Sequence, residues 1–473
     1  MPNGRPGPAR SDQVSPVLRV YLHTFGCKAN QYDTERMRQE LEARGGVSVG
    51  DWTTADVCVV NTCTVTNQAD AEARRFVRRL RRANPQARIV VAGCSAALRA
   101  AEYQGMREVA AVVPGHDPTE VALQAGVRHA LVQLESGRAF HRADAEPVGA
   151  ELLQRREGAT RGWLKVQDGC DRKCSFCATR LARGDSRSVS PARVVAEARV
   201  LAHTHPELVL TGVHIGQYGL DLTPRWTLSR LVALLLDQVP HVRFRLGSVE
   251  ATEVDDLILE LLQTSGGRLA SHLHMPLQSG ADPVLRDMRR WHTREAYRQR
   301  ALEIAGRLSV LGLGADVITG FPGERDTDHE STVALVEELP FTYLHVFPFS
   351  PRDATAAAEL HRLRPVPQRV AAERAAELRA RVQAKAARYH ASRVGTLAEV
   401  AVEGEGTRAL TEDYLRVRVR APEAPDPRRL VQGVLGMAAG GLYIDLPRRT
   451  DERPEAALLE RTGTAASSPG RTF

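Results

Sequence analysis

The chain has 473 residues, 43% of them hydrophobic, and a formal net charge of +7 with arginine well ahead of lysine. That length predicts roughly two to four packed domains, and no apolar run approaches a membrane span, the stretch 231–236 being far too short. The basic balance suits a polyanionic partner, most simply nucleic acid.

Residues 1–16 are rich in Pro, Gly and Arg, without the apolar core of a signal peptide. They read as a disordered tail, and a cytosolic location follows. A strand–helix alternation then begins. Strands are predicted at 20–26, 57–61, 88–93 and 110–115, with helices at 32–43, 68–82 and from about 118. Alternation of this kind predicts a parallel, doubly wound α/β domain over residues 17–140. Cys27, Cys63 and Cys94 each follow the carboxyl end of a predicted strand. In a parallel sheet those ends share one edge, so the three thiols converge and could hold an iron–sulfur cluster. The alternative is three ordinary buried thiols. Cys58 lies inside a strand and is expected to pack as a small hydrophobe.

The helix at 68–82 carries Arg74, Arg75, Arg78, Arg79, Arg81 and Arg82, with Phe76, Val77 and Leu80 marking its buried face. The arginines either hold RNA phosphates or form a solvated face with favourable charge at the helix end. Residues 141–160 are polar and read as a linker.

From 161 to 363 the alternation resumes. Strands are predicted at 163–167, 207–213, 242–248, 272–277, 315–319 and 343–347, with helices between them, as at 191–203 and 255–263. Six such units predict a partial (β/α)6 barrel, open along one side and wide enough for a macromolecular substrate. After its first strand comes Cys170-Asp-Arg-Lys-Cys174-Ser-Phe-Cys177. Three close thiolates suit an iron–sulfur cluster with one corner free. Zinc would need a fourth ligand, and the next histidine, His203, is a helix away. The later strand ends carry Ser248 and Glu250, then Gln278 in His274-Met-Pro-Leu-Gln-Ser-Gly280, then Gly320-Phe-Pro-Gly-Glu324. Their shared position at strand carboxyl ends favours a functional reading.

Residues 364–393 read as a helical connection. Over 394–446 short alternating strands (397–402, 414–420, 442–446) predict a small antiparallel β-barrel. Arg416, Arg418 and Arg420 recur every second residue and so line one face, which suits RNA or a structural cap with a soluble exterior. Residues 447–473 read as a second disordered tail. The seven cysteines are odd in number and cluster by motif, favouring metal ligation in a reducing compartment over disulfides.

The Cys170–Cys177 spacing, with Phe176 before the last cysteine, resembles the radical S-adenosylmethionine (SAM) superfamily. The three-part arrangement over 17–446 resembles the methylthiotransferases, which join an amino-terminal cluster domain, a radical SAM core and a TRAM β-barrel. Thr24-Phe-Gly-Cys27-Lys-Ala-Asn, Asn61-Thr-Cys63-Thr-Val-Thr, Val91-Ala-Gly-Cys94 and the motifs quoted above fall in the family's order. Leu210-Thr-Gly-Val-His-Ile-Gly and Leu344-His-Val-Phe-Pro-Phe-Ser look most like the enzymes that modify N6-threonylcarbamoyladenosine beside the tRNA anticodon. Isopentenyladenosine and a ribosomal-protein aspartate are the substrates of the runner-up subgroups. The stretch Ala178-Thr-Arg-Leu-Ala-Arg-Gly is less apolar than its family counterpart, and the two tails have none.

The resemblance implies two 4Fe–4S clusters. Cys170, Cys174 and Cys177 would hold the one that cleaves SAM. Cys27, Cys63 and Cys94 would hold an auxiliary cluster carrying the sulfur to be inserted. It further implies SAM contacts from Ser248, Glu250 and Gln278, an anticodon arm of tRNA met by the TRAM-like barrel, an electron donor such as flavodoxin or ferredoxin, and a sulfur donor. No membrane is involved. The competing reading is an iron–sulfur RNA-binding protein without methylthio chemistry.

Overall fold

The computed structural model describes residues 17–65, 67–127, 152–156 and 158–447. The tails expected at 1–16 and 447–473, except Pro447, and most of the linker expected at 141–160 lie outside these residues. The chain divides into two compact units at residues 146 and 147.

The first unit holds β1 (Arg19–Thr24), β2 (Val47–Ser48), β3 (Val57–Thr62), β4 (Arg88–Gly93) and β5 (Ala111–Val112) in the order β2-β1-β3-β4-β5. All pairs are parallel. Both faces of this sheet are covered, so β3 at its centre opens with the unbroken apolar run Val57-Cys-Val-Val60 rather than alternating with polar residues. Along β3, Val57 and Val59 enter one core with Met37 and Leu41 of α1 (Lys28–Ala43). Cys58 and Val60 enter the other with Phe76, Val77 and Leu80 of α2 (Asn67–Ala83). The expected doubly wound domain is therefore present. Its last strand is shorter than expected, because Pro114 has no N–H for a sheet ladder.

In the second unit, β6 (Arg161–Lys165), β9 (Glu207–Thr211) and β10 (Arg243–Leu246) form one parallel sheet. A second comprises β11 (His272–His274), β12 (Gly312–Thr319) and β13 (Tyr343–Pro348). Parallel bridges Phe244↔Leu269 and Ser248↔His274 join them, giving six strands in chain order as a partial barrel. A short antiparallel pair, β7 (Gln167–Asp168) with β8 (Arg187–Ser188), brackets the Cys170–Cys177 loop. Just before β6, Leu153 is fully buried and its N–H donates to Glu197.

The chain ends in a closed barrel of β14 (Leu397–Glu403), β15 (Arg408–Thr411), β16 (Arg416–Arg420), β17 (Leu430–Ala438) and β18 (Gly441–Asp445). Sequence reasoning missed β15 and β17. In β17 the glycines weaken the strand pattern. Gly436 is required there, because a Cβ would lie 2.2 Å from the Tyr443 ring on β18.

This barrel docks on the amino-terminal ends of the parallel strands. Glu207, which opens β9, is fully buried, as are Arg243 and Arg245 on β10. Arg245 grips the carboxylate with two nitrogens at 2.9 Å each, and Arg243 adds a third contact at 2.6 Å. Both arginines then donate outward to backbone carbonyls of the small barrel. Arg243 reaches Glu399 at 2.8 Å, and Arg245 reaches Thr411 at 2.8 Å and Glu412 at 3.0 Å. Burial opposes ionisation of Glu207, but the two guanidiniums hold its carboxyl below the usual range. Glu207→Gln is expected to destabilise the protein by about 3–5 kcal/mol, because two buried cations lose their counter-charge. The stabilisation is complete near neutral pH and fades as the pH falls below the ordinary glutamate range. Urea unfolding with limited proteolysis measures this. An unchanged midpoint for Glu207→Gln would show the clamp to be idle.

Candidate functional site

The cysteine loop of the second unit is tied down by the chain's own hydrogen bonds. Gln167 is fully buried at its throat. Its amide donates to the Gly169 carbonyl at 2.6 Å and to Ser186 Oγ at 2.9 Å. Its oxygen accepts the N–H groups of Val213 and His214, 3.1 and 2.8 Å away, beyond the end of β9. Ser175 donates through N and Oγ to the carbonyls of Met288 and Asp287, and its own carbonyl accepts the N–H of Ala357. A loop fixed at both ends and in the middle loses little freedom on binding.

Donors reach two of the three sulfurs. Cys170 Sγ lies 3.4 Å from His214 Nδ1 and 3.4 Å from the Arg172 N–H. Arg290 reaches Cys174 Sγ at 3.6 Å. Glu253 accepts from His214 at 2.8 Å and from Arg172 at 3.3 Å. The Arg172 and Arg290 guanidiniums each sit 4.1 Å from the centre of the Trp291 ring. Burial works against the His214 imidazolium, yet its bonds to Cys170 and Glu253 raise its pKa to about 9. Burial pushes the Cys174 thiol up, with Arg290 pulling the other way. Three free thiols on one half-exposed loop, flanked by cations, fit an anionic iron–sulfur cluster.

The three residues expected to contact SAM sit differently. Glu250 is buried and paired with Arg290, the same arginine that reaches Cys174. Burial raises its pKa against the pull of that arginine. Gln278 takes a left-handed backbone, φ 66°. Its N–H donates to the Asp316 carbonyl at 2.8 Å, and its own carbonyl accepts from Ile318 at 2.9 Å. Ser248 is exposed at the end of β10. Glu324 has a structural task. It accepts the Gly320 N–H at 2.6 Å and pairs with Arg374 at 2.6 Å, anchoring the helix Gln368–Arg393 to the barrel.

Among the described residues, one group of His, Cys, Asp or Glu atoms gathers within single-ion range: His274, Asp316 and His345, whose ligating atoms lie within 4.8 Å of one another. These atoms already satisfy each other. Asp316 accepts from His274 at 3.1 Å and from His345 at 3.2 Å, and Tyr343 lies 3.0 Å from the other nitrogen of His274. Neither cysteine trio gathers so tightly, and a four-iron cluster spreads its ligands wider than one ion does.

In the first unit, the strand order puts a topological switch point between β1 and β3, where open α/β sheets bind ligands. Cys27 follows β1 and Cys63 follows β3. Cys94 begins α3 (Cys94–Leu98) after β4. Asn30, fully buried, ties these ends together. Its amide donates to the carbonyls of Phe25 at 2.8 Å and Thr62 at 2.9 Å, and its oxygen lies 3.7 Å from Cys94 Sγ. Gly26, at φ 101°, leaves room for Cys63, whose sulfur would lie 2.5 Å from a Cβ there. His116 lies 3.6 Å from Cys94 Sγ. Cys27 is exposed, whereas Cys63 and Cys94 are buried. Cys58 is fully buried, with its thiol pushed up to about 11 by burial.

Residues 19–115 match the uncharacterized protein family UPF0004, and residues 164–336 match the radical SAM superfamily. The threonylcarbamoyladenosine tRNA methylthiotransferase MtaB of Bacillus subtilis is 35% identical over 358 residues, covering 73% of this chain and 76% of the relative. The chain belongs to the MtaB-type radical SAM methylthiotransferases. A second Bacillus subtilis protein, the tRNA-2-methylthio-N(6)-dimethylallyladenosine synthase, is 30% identical over 405 residues, covering 82% of this chain and 76% of that one. A solved radical SAM methyltransferase, TsrM of Kitasatospora setae with cobalamin and a 4Fe–4S cluster bound, shares the fold. It has a TM-score of 0.51 at 17% identity and covers 72% of this chain and 77% of its own.

Sequence reasoning singled out no residue that positions the thiols of this methylthiotransferase. Asn30 and His214 both lie inside motifs quoted above, so a signal was present. Arg290 carried only the weak cue of arginines beside an aromatic. The backbone at Gln278 stores of order 1–3 kcal/mol of strain. Gln278→Gly should leave the thermal midpoint unchanged or higher, and Gln278→Val should lower stability by about 1–3 kcal/mol. Equal midpoints for the two variants would show that the left-handed backbone is not retained in solution.

Proposed function

We propose that the chain converts N6-threonylcarbamoyladenosine to 2-methylthio-N6-threonylcarbamoyladenosine at position 37, beside the anticodon of tRNA. The observation that carries this reading is the arrangement of six cysteines in two separate threes, each at strand carboxyl ends. Stronger identity to the MtaB protein than to the dimethylallyladenosine synthase of the same organism favours the threonylcarbamoyl substrate over the isopentenyl one.

In this reading Cys170, Cys174 and Cys177 hold one 4Fe–4S cluster, and Cys27, Cys63 and Cys94 hold the other. When bound, the first supplies an electron that cleaves SAM to a carbon radical, and the second supplies sulfur. The chain's own residues prepare these events. Arg290 and His214 balance negative charge at the first trio, and the Arg172 N–H adds a neutral donor. Asn30 and Gly26 set the spacing of the second. Glu250, held by Arg290, and Gln278, held by β12, meet SAM together with Ser248. Arg416, Arg418 and Arg420 stand exposed on β16 and contact phosphates of the anticodon arm, positioning it without reading its sequence. A flavodoxin or ferredoxin delivers the electron, and a separate donor renews the sulfur. No helix among the described residues is long and apolar enough to cross a membrane.

Mass spectrometry of nucleosides from tRNA treated with the anaerobically reconstituted chain, SAM and dithionite tests the proposal. The 2-methylthio derivative of threonylcarbamoyladenosine should appear. Cys63→Ala should still release 5′-deoxyadenosine from SAM yet yield no methylthio nucleoside. Normal modification by that variant would remove the second trio from the reaction. Absence of 5′-deoxyadenosine with the unaltered chain would leave an iron–sulfur RNA-binding protein as the better reading.

A further inference from the structure

The first unit contains a cleft of about 720 Å³ that the six cysteines do not line. One wall is α2, which contributes Arg75, Arg78, Arg79 and Arg82. All four are exposed. Their neighbours on the same helix are engaged otherwise: Arg74 pairs with Glu102, and Arg81 donates to the carbonyls of Pro85 and Glu108. No carboxylate pairs with any of the four among the described residues. The one acid in the lining, Glu72, takes the amide of Gln68. Arg75 and Arg78 lie mid-helix, so charge at the helix end does not account for them.

The floor is aromatic. His23 on β1 and Phe25, one residue past its end, alternate along the chain and so share a face, and both line the cleft. His23 stacks on Phe76 with centroids 4.1 Å apart, and Phe25 meets Phe76 edge-on at 5.8 Å. Arg79 lies over Phe76 at 4.9 Å. Burial and Arg79 lower the pKa of His23, so its ring is neutral near pH 7 and offers a stacking face rather than a charge. Phe25 also lies two residues before Cys27, so the cleft opens beside the sheet edge that carries the cysteines.

We propose that this cleft is a second RNA contact, in which an unpaired nucleotide stacks on the aromatic floor while the arginines hold its flanking phosphates. Four unneutralised guanidiniums alone would equally suit an acidic protein. Flat rings at the bottom of a nucleotide-sized cleft favour a nucleobase. The inference rests on the tRNA reading for its partner but not on the methylthio chemistry.

Arg75→Gln/Arg78→Gln/Arg82→Gln tests it, since glutamine keeps the helix propensity of these exposed positions. Binding of fluorescein-labelled unmodified tRNA to the reconstituted full chain is measured across a salt series. Loss of three phosphate contacts should reduce the slope of log K against log salt by about 2. Affinity should fall about tenfold or more at physiological salt, and SAM cleavage without RNA should be unchanged. Quenching of a 2-aminopurine in a single-stranded oligonucleotide should be lost in Phe25→Leu, which keeps apolar bulk but removes the ring. An unaltered slope and unaltered quenching overturn the proposal. So does a triple variant that binds tRNA normally but loses reduction by an acidic flavodoxin. If the unaltered chain binds RNA as described yet makes no methylthio nucleoside, the cleft stands and the proposed reaction falls.

Discussion

Glu207 fixes the second unit. A carboxylate buried alone would be expelled or protonated, because low-polarity surroundings disfavour the charged form. Here two arginines from the next strand enclose it, and their remaining N–H groups end on carbonyls of the small barrel. Arg243 and Arg245 are two residues apart on β10, so the strand's own repeat points both to the same side. The ion cluster therefore specifies more than it stabilises. It aligns two β structures whose backbones share no sheet, with the N–H groups of Arg243 and Arg245 divided between the carboxylate and the carbonyls of the small barrel.

The same device recurs in neutral form where the chemistry lies. Gln167 spans the throat of the cysteine loop, and Asn30 spans three strand ends of the first unit. Each is a buried amide whose donor and acceptor serve different segments. An amide is well suited to this, since it offers both kinds of bond in one rigid plane. Around the loop a different logic operates: Arg290 and His214 bring positive charge to sulfur, the backbone N–H of Arg172 adds a neutral donor, and Glu250 and Glu253 hold the two cations in place.

The layout was largely legible in the sequence. Alternating strands and helices gave the parallel sheets, and the cysteines stand at strand ends as the pattern required. What stayed hidden involved partners distant in sequence. Arg243 and Glu207 lie thirty-six residues apart on two strands, and nothing local in the sequence says that they meet. Gln278 read as a polar residue in a motif, but its left-handed backbone depends on β12. β17 was invisible because two glycines, Gly436 where Tyr443 crosses and Gly433 where the Asp445 backbone passes, erase the signature of a strand. The arginines of α2 stand out in the sequence, yet only the fold shows that His23 and Phe25 lie beneath them.

Because the small barrel sits where the parallel strands begin, and the cysteine loop where they end, harm at the two ends would look different in a cell. A loosened floor lowers the folded fraction, and a loss of one or two kcal/mol can change abundance several-fold. Such an allele would present as scarce but competent protein. Damage at the other end would present as plentiful protein that turns over slowly or not at all.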